Sequence, residues 1–287
     1  MSNSLFRKKS IAKINADATA ADGHDSGLKK ILGVKDLTFM GIAAVIGAGI
    51  FSTIGTAAFN GGPGISLLFV ITAITCGFSA LCYAEFASRV PIAGSAYTYA
   101  YVSFGEVVAW IIGWALILEY AIGNIVVAIS WSGYFNNLLE GFNIHLPGWL
   151  ATNTTNAQSG YDEAVKAMAG GASLESLGRH AKTGYDAIVN APVIAGIKFI
   201  INIPAFVIVM LVTALAYIGI KESKKMTNYM VIFKIAVIIF VIVMGFFYVD
   251  TANWDPFLPN EFTGVLAGVS AVFYAYIGFD AISTTAE

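Results

Sequence analysis

The feature that most constrains this chain is a series of six apolar segments, each close to or above the length of a membrane-spanning helix. Such a helix needs about 20 predominantly apolar residues to cross the hydrocarbon core of a bilayer. The predicted spans, numbered 1 to 6 in chain order, are residues 37–59, 65–87, 105–139, 193–220, 226–249 and 262–287. Span 3 is longer than a crossing requires, which predicts a tilted helix that projects beyond the bilayer. The sequence therefore predicts an all-α integral membrane protein.

Composition agrees with a membrane protein and argues against several other classes. Of the 287 residues, 57% are hydrophobic and 12% are charged, which is about half the charged fraction of a typical soluble domain. The formal net charge of −2 gives no reason to expect a nucleic-acid partner. Cys76 and Cys82 fall within one apolar run, so we expect neither a disulfide framework nor a metal site.

The positions of lysine and arginine predict the orientation in the membrane. Residues 1–36 form a polar leader, and the predicted loops on the same side carry Arg89 and Lys221. The short loops on the other side, 60–64 and 250–261, contain no lysine or arginine. Because cytoplasmic loops collect positive charge, the leader is predicted to be cytoplasmic and residues 37–287 to form the transmembrane domain. The loop 141–191 is then extracellular, since long loops are translocated largely regardless of charge.

Span 1 contains glycines where an unbroken helix would disfavour them. Glycine in a helix interior costs roughly 0.5–1 kcal/mol relative to alanine, yet Gly47 and Gly49 lie near the middle of the span. A dinucleotide-binding fingerprint would need glycine at the position of Ser52. Two interpretations remain: close packing of two helices through small residues, or a discontinuous helix whose freed backbone groups bind a substrate. Span 6 offers a partner for such a break, because Gly278 and Asp280 lie in its middle.

Three longer motifs follow one another along the chain: GIAAVIGAGIF (41–51), YAEFASRVPIAGSAYTYAYVSFGE (83–106) and FYAYIGFDAISTTAE (273–287). Together they resemble the amino acid–polyamine–organocation (APC) superfamily, and most closely the bacterial relatives of the cationic amino acid transporters. The resemblance implies the LeuT-like fold of five-plus-five inverted repeats, with spans 1–5 as the first repeat and discontinuous helices in spans 1 and 6. The chain then ends within span 6, and transport is expected to require the missing second repeat.

The resemblance places the substrate site at the two breaks. The substrate-binding residues expected at these breaks are Val45, Gly47, Ala48, Gly49, Ile50, Tyr274, Ala275, Ile277 and Asp280. Asp280 could instead orient span 6 or sense protons. Helix physics agrees, because N–H groups at the start of a half-helix suit a carboxylate and carbonyl groups at the end of another suit an ammonium. A free α-amino acid carries both groups. The sequence leaves open whether its side chain is neutral or cationic.

Two ionisable residues inside the spans are candidates for proton coupling. Lys234 in span 5 could simply extend its ammonium to the membrane interface. It also matches the position where the resemblance implies a lysine in proton-coupled members. Glu119 in span 3 could form a hydrogen bond that only supports packing, or it could exchange a proton with Lys234 or with the substrate site. Protons are the expected coupling ion, and no cofactor or metal is expected.

The predicted function is a secondary active amino acid permease of the plasma membrane, a proton-coupled symporter rather than an enzyme, with the amino acid and the lipid bilayer as its partners. The alternative is a non-transporting membrane protein that keeps the amino-acid pocket, as a binding protein or receptor-like half-permease. One further pattern lies in the long loop, where GYDEAV (160–165) is followed by GYDAIV (184–189). A pair this short is interpreted as a coincidence rather than a repeat.

Overall fold

The structure is a computed structural model that describes residues 7, 8, 10, 33–47, 49–90, 94–218 and 220–285. Two compact units divide the chain: Met1–Ala121 with Gly219–Glu287 forms the first, and Ile122–Ile218 forms the second. Each unit is described by itself below. Most of the sequence positions predicted to carry function belong to the first unit.

The described residues are mainly helical. The helices are α1 (Val34–Val45), α2 (Ile54–Gly61), α3 (Ile65–Arg89), α4 (Ser95–Ser103), α5 (Glu106–Gly141), α6 (Gly148–Ala151), α7 (Thr154–Ala169), α8 (Arg179–Asn190), α9 (Ile203–Ile218), α10 (Ile220–Phe246), α11 (Glu261–Ala267) and α12 (Val269–Tyr274). Two short strands, β1 (Val193–Ile194) and β2 (Ile197–Lys198), pair as an antiparallel hairpin. Single 3-10 turns cover Gly62–Gly64, Leu174–Ser176, Thr251–Trp254 and Phe279–Thr285, and a π-helical turn covers Gly49–Thr53.

Five helical segments in the described part of the chain are long and apolar enough to cross a membrane. They are Val34–Thr53, Gly62–Arg89, Glu106–Gly141, Lys225–Phe246 and Glu261–Ala281. These segments correspond to predicted spans 1, 2, 3, 5 and 6. Their large apolar side chains are widely exposed, as at Phe78 (68%) and Phe240 (63%), and an apolar surface this extensive is typical of contact with lipid.

The predicted start of span 4 at residue 193 needs correction. Residues 193–198 form the β-hairpin, whose turn has positive φ at both Ala195 (52°) and Gly196 (80°), as a tight hairpin turn requires. The helix α9 begins only at Ile203 and has 16 residues. Asn202 fixes this start, because its side-chain oxygen accepts a hydrogen bond from the Ala205 N–H at 2.9 Å, as N-terminal capping residues do.

In the first unit, an apolar cluster holds spans 1, 2 and 6 together at one end. Ala57 of α2, Ile65 and Leu68 of α3, Val265 of α11 and Val272 of α12 are all buried in it. The helix α2 follows Gly47 and Gly49 of span 1, and α12 precedes Gly278 of span 6. The cluster therefore holds these two glycine regions close to each other.

In the second unit, the two GYD motifs pack against each other. They lie on α7 and α8, and the rings of Tyr161 and Tyr185 stack with their centroids 5.7 Å apart and planes at 14°. Gly160 and Gly184 meet backbone to backbone: a Cβ atom on Gly184 would lie 2.6 Å from the Gly160 Cα. The recurrence interpreted above as a coincidence therefore has a structural role, which is to let two helices cross at glycines.

Adding one methyl group at this crossing tests the arrangement. We expect Gly184→Ala to destabilise the protein by about 1–3 kcal/mol, because the new Cβ overpacks a backbone contact. Gly123→Ala is the matched control, since a Cβ there meets nothing within 4 Å, and it should leave stability equal or slightly increased. Thermal unfolding of both variants in detergent measures the difference. Equal melting temperatures would contradict the close crossing.

Candidate functional site

The helix of span 1 is interrupted at its glycines. The last α-helical residue of α1 is Val45, and Ile46 has φ −83° and ψ 83°, which is outside the helical region. Helical structure resumes in the π-helical turn Gly49–Thr53, which leads into α2. Val45, Gly47 and Ile50 flank this interruption, whereas Ala48 lies outside the described residues.

The α-helical geometry of span 6 ends near Gly278. The α-helix α12 ends at Tyr274, and Ala275 is its C-terminal capping residue. Gly278 has φ +110°, a conformation that L-residues with side chains rarely adopt, and the 3-10 turn Phe279–Thr285 follows it. The predicted residues Tyr274, Ala275 and Ile277 thus lie at the end of an α-helix, directly before a reversal of backbone geometry.

The two glycine regions touch each other. A Cβ atom built on Gly49 would lie 2.8 Å from the backbone nitrogen of Ala275, and one on Gly278 would lie 3.0 Å from the main-chain oxygen of Ala44. Thr53 adds a hydrogen bond from its hydroxyl to the main-chain oxygen of Ala271 at 3.3 Å. Residues predicted separately from spans 1 and 6 are therefore neighbours in the fold, and their contact is made by backbone.

Lys234 of α10 contacts the end of α1. Its ammonium nitrogen donates hydrogen bonds to the main-chain oxygen of Ala43, at 3.0 Å, and to that of Ile46. The last carbonyl groups of a helix have no partner within the helix and carry its partial negative charge, so a cation at this place is favourable. Lys234 therefore binds the helix end next to the glycines of span 1, and its side chain is half-buried.

Asp280 is a buried carboxylate with a partner that the sequence analysis missed. It is only 6% exposed, and its Oδ2 accepts a hydrogen bond from the Tyr120 hydroxyl of α5 at 3.1 Å. Glu119 precedes Tyr120 and is close enough to Asp280 for their charges to interact. No ion pair among the described residues joins Glu119 to Lys234. The sequence did indicate Tyr120 indirectly, because this tyrosine directly follows the candidate carboxylate Glu119.

A polar cavity of about 980 Å³ is lined by residues of the second unit. Ser132, Asn136, Arg179 and Asp186 are among the residues that line it, and none of the predicted substrate or coupling residues does. We assign the candidate site to the glycine regions of the first unit instead, because broken helices expose backbone groups that can bind a charged substrate. Among the described residues no group of three His, Cys, Asp or Glu side chains could hold a metal ion.

The contact between the glycine regions predicts a strong effect of one methyl group. Gly49→Ala should lower the melting temperature of the protein, because its Cβ would overlap the Ala275 backbone and force spans 1 and 6 apart; overpacking of this kind costs about 1–3 kcal/mol. Gly55→Ala, six residues further on and with nothing within 4 Å of a new Cβ, is the control. A Gly49→Ala protein as stable as Gly55→Ala would show that the two regions are not in contact.

Comparison with known proteins identifies the class to which the chain belongs. The family model described as amino acid permease matches residues 32–287. The chain is 44% identical over its whole length to the branched-chain amino acid permease BcaP of Bacillus subtilis, covering 53% of that protein. It is 39% identical over 99% of its length to the methylthioribose transporter of Bacillus subtilis, covering 52% of it.

A plant relative gives the same result. The chain is 33% identical over 99% of its length to the chloroplastic cationic amino acid transporter 9 of Arabidopsis thaliana, of which it covers 44%. The chain thus spans about half the length of the curated relatives it matches. These relatives are named as permeases and transporters and not as enzymes. With a match from residue 32 to residue 287, the chain belongs to the amino acid permease family of the APC superfamily.

Proposed function

We propose that the protein containing this chain is a secondary active transporter that moves amino acids by alternating access in symport with protons. The observation that carries the proposal is the direct contact between the interrupted regions of spans 1 and 6, at Gly49 with Ala275 and at Gly278 with Ala44. In transporters built from inverted repeats, discontinuous helices of this kind form the substrate site near the middle of the membrane. Family membership and the named relatives support the amino acid as substrate.

We propose the LeuT-like architecture for the transmembrane domain, with spans 1–5 as the first inverted repeat and span 6 as the start of the second. Support comes from the places of the two interruptions, which fall in the first span of each proposed repeat. Because the chain spans about half of its relatives' length, this proposal and the transport activity apply to the whole permease. In such transporters, one repeat or bundle rocks against the other.

The substrate's two charged groups are proposed to bind to backbone. The N–H groups of Ala48, Gly49 and Ile50 are assigned to the carboxylate, because Gly49 and Ile50 open the π-helical turn that leads into α2. The carbonyl groups of Tyr274, Ala275 and Ile277 are assigned to the ammonium, because they follow the end of α12. Binding through backbone explains why small residues stand at this place: a larger side chain would cover the groups that bind.

Lys234 is proposed as the residue that couples transport to protons, with Glu119 as a second proton carrier. A protonated Lys234 holds the carbonyl groups of Ala43 and Ile46, directly before Gly47. Loss of its proton removes the charge that stabilises the end of α1. The protonation of one side chain would in this way act on the conformation of the substrate site.

Uptake measurements test this coupling. Acidifying the outside should raise the accumulation of a radiolabelled amino acid about tenfold per pH unit for one proton, since each unit supplies about 1.4 kcal/mol. Lys234→Ala should abolish this dependence. Lys225→Ala, an exposed lysine of the same helix, should retain it. Unchanged proton dependence in Lys234→Ala would exclude Lys234 as the coupling residue.

A second candidate substrate follows from one relative. The methylthioribose transporter, 39% identical to this chain, is named for a sugar derivative rather than for an amino acid.

The non-transporting half-permease is a distinct alternative proposal. Saturable binding of an amino acid without flux across the membrane would favour it over the transporter.

We propose that the protein lies in the plasma membrane with its N-terminus in the cytoplasm, on the basis of the lysine and arginine distribution. A cysteine at Lys166 in α7 should react with a membrane-impermeant maleimide in intact cells. A cysteine at Lys225 should react only after the cells are permeabilised. Both variants are made in a background lacking Cys76 and Cys82, of which Cys82 is exposed. The reverse labelling pattern would contradict the orientation.

A further inference from the structure

Within the part of the chain that the structure describes, one side chain, that of Tyr120, donates a hydrogen bond to the carboxylate of Asp280. Asp280 is 6% exposed, and the Tyr120 hydroxyl donates to its Oδ2 at 3.1 Å. Tyr120 itself is 38% exposed, so its ring extends from the surface of α5 toward the buried carboxylate. Hydrogen bonds to an ionised acceptor are among the stronger ones in proteins, and leaving such an acceptor without its donor is costly.

The main chain of Asp280 is held from the other side by two serine hydroxyl groups. The Ser283 hydroxyl donates to the main-chain oxygen of Asp280 at 2.6 Å, and the hydroxyl oxygens of Ser283 and Ser95 lie 2.8 Å apart. The Ser95 hydroxyl also donates to the main-chain oxygen of Asp280, at 3.5 Å. Ser95, the first residue of α4, is 1% exposed and has a positive φ of 49°. A chain of hydrogen bonds therefore links α4 to the 3-10 turn of span 6.

These contacts lie directly beside the break in span 6. Asp280 comes two residues after Gly278, whose Cβ would be 3.0 Å from the main-chain oxygen of Ala44 in α1. Glycine imposes few limits of its own on the backbone direction, so the contacts that hold Asp280 help to set the direction of the segment after Gly278. Of these contacts, the bond from Tyr120 is the one that reaches span 3.

We propose that Tyr120 is a positioning residue of the permease, whose hydroxyl holds Asp280 and the 3-10 turn of span 6 against α5. The inference rests on the proposed transport function and adds a residue to it. Glu119 and Asp280 are close enough for their charges to interact, and like charges repel. Without the Tyr120 hydroxyl, the carboxylate of Asp280 turns away from α5, and the turn that carries it loses its fixed place beside the substrate site.

Kinetics of Tyr120→Phe separate positioning from binding. We expect the maximal uptake rate per folded transporter to fall about tenfold or more, as for loss of a hydrogen bond to a charged group, with a change in KM of less than about twofold. Tyr229→Phe, which removes the hydroxyl of a more exposed tyrosine in α10, should leave both parameters unchanged. A Tyr120→Phe protein with the parental maximal rate would overturn the proposal.

A double-mutant cycle with Asp280→Ala tests the pair itself, because asparagine would still accept the Tyr120 hydrogen bond. In the Asp280→Ala background, Tyr120→Phe should lower neither the uptake rate nor the melting temperature much further, because the acceptor that it holds is gone. Additive losses of melting temperature would show that Tyr120 acts elsewhere and would overturn the proposal. The melting temperatures are measured whether or not the parental protein transports. Absence of parental uptake with a coupled cycle would therefore reject the transport function while retaining the contact.

Discussion

The contact between the interrupted backbones of spans 1 and 6 is the constraint on which the rest of the first unit depends. Gly49 approaches Ala275 so closely that a Cβ would meet its backbone nitrogen at 2.8 Å, and Gly278 approaches Ala44 in the same manner. Two helices that meet through backbone cannot both stay regular and still expose polar groups between them. The apolar cluster of α2, α3, α11 and α12 holds the ends of these segments in place, so the glycine regions lie side by side.

Two ionisable side chains inside the spans of the first unit, those of Lys234 and Asp280, each have a polar partner. A charged side chain at the centre of a bilayer costs about 2.5–3.5 kcal/mol even on insertion scales, which makes Lys234, Glu119 and Asp280 expensive. Lys234 meets carbonyl groups at the end of α1, and Asp280 meets the Tyr120 hydroxyl. Both balanced charges therefore act on the segments that surround the glycine regions, which is where a transporter would use them.

Five of the six predicted spans coincide with helical segments of the described residues that are long and apolar enough to cross a membrane, because long apolar runs depend on local composition. Long apolar runs dictate helices of spanning length, and glycine within them marks a place where a helix is easily interrupted. The predicted start of span 4 was wrong because residues 193–198 are mostly apolar, and a short apolar run does not distinguish a strand from a helix. Tyr120 and the pairing of Tyr161 with Tyr185 were not predicted, because their partners are set by tertiary packing and not by spacing along the chain.

The most direct test of backbone recognition is competition with chemically blocked substrate analogues. A radiolabelled amino acid that the protein takes up is challenged with the same free amino acid, its methyl ester, its N-acetyl derivative and methylthioribose. If backbone N–H groups bind the carboxylate and carbonyl groups bind the ammonium, only the free amino acid competes at comparable concentration. Equal competition by the ester, the N-acetyl derivative or methylthioribose would contradict recognition of both charged groups at the two breaks.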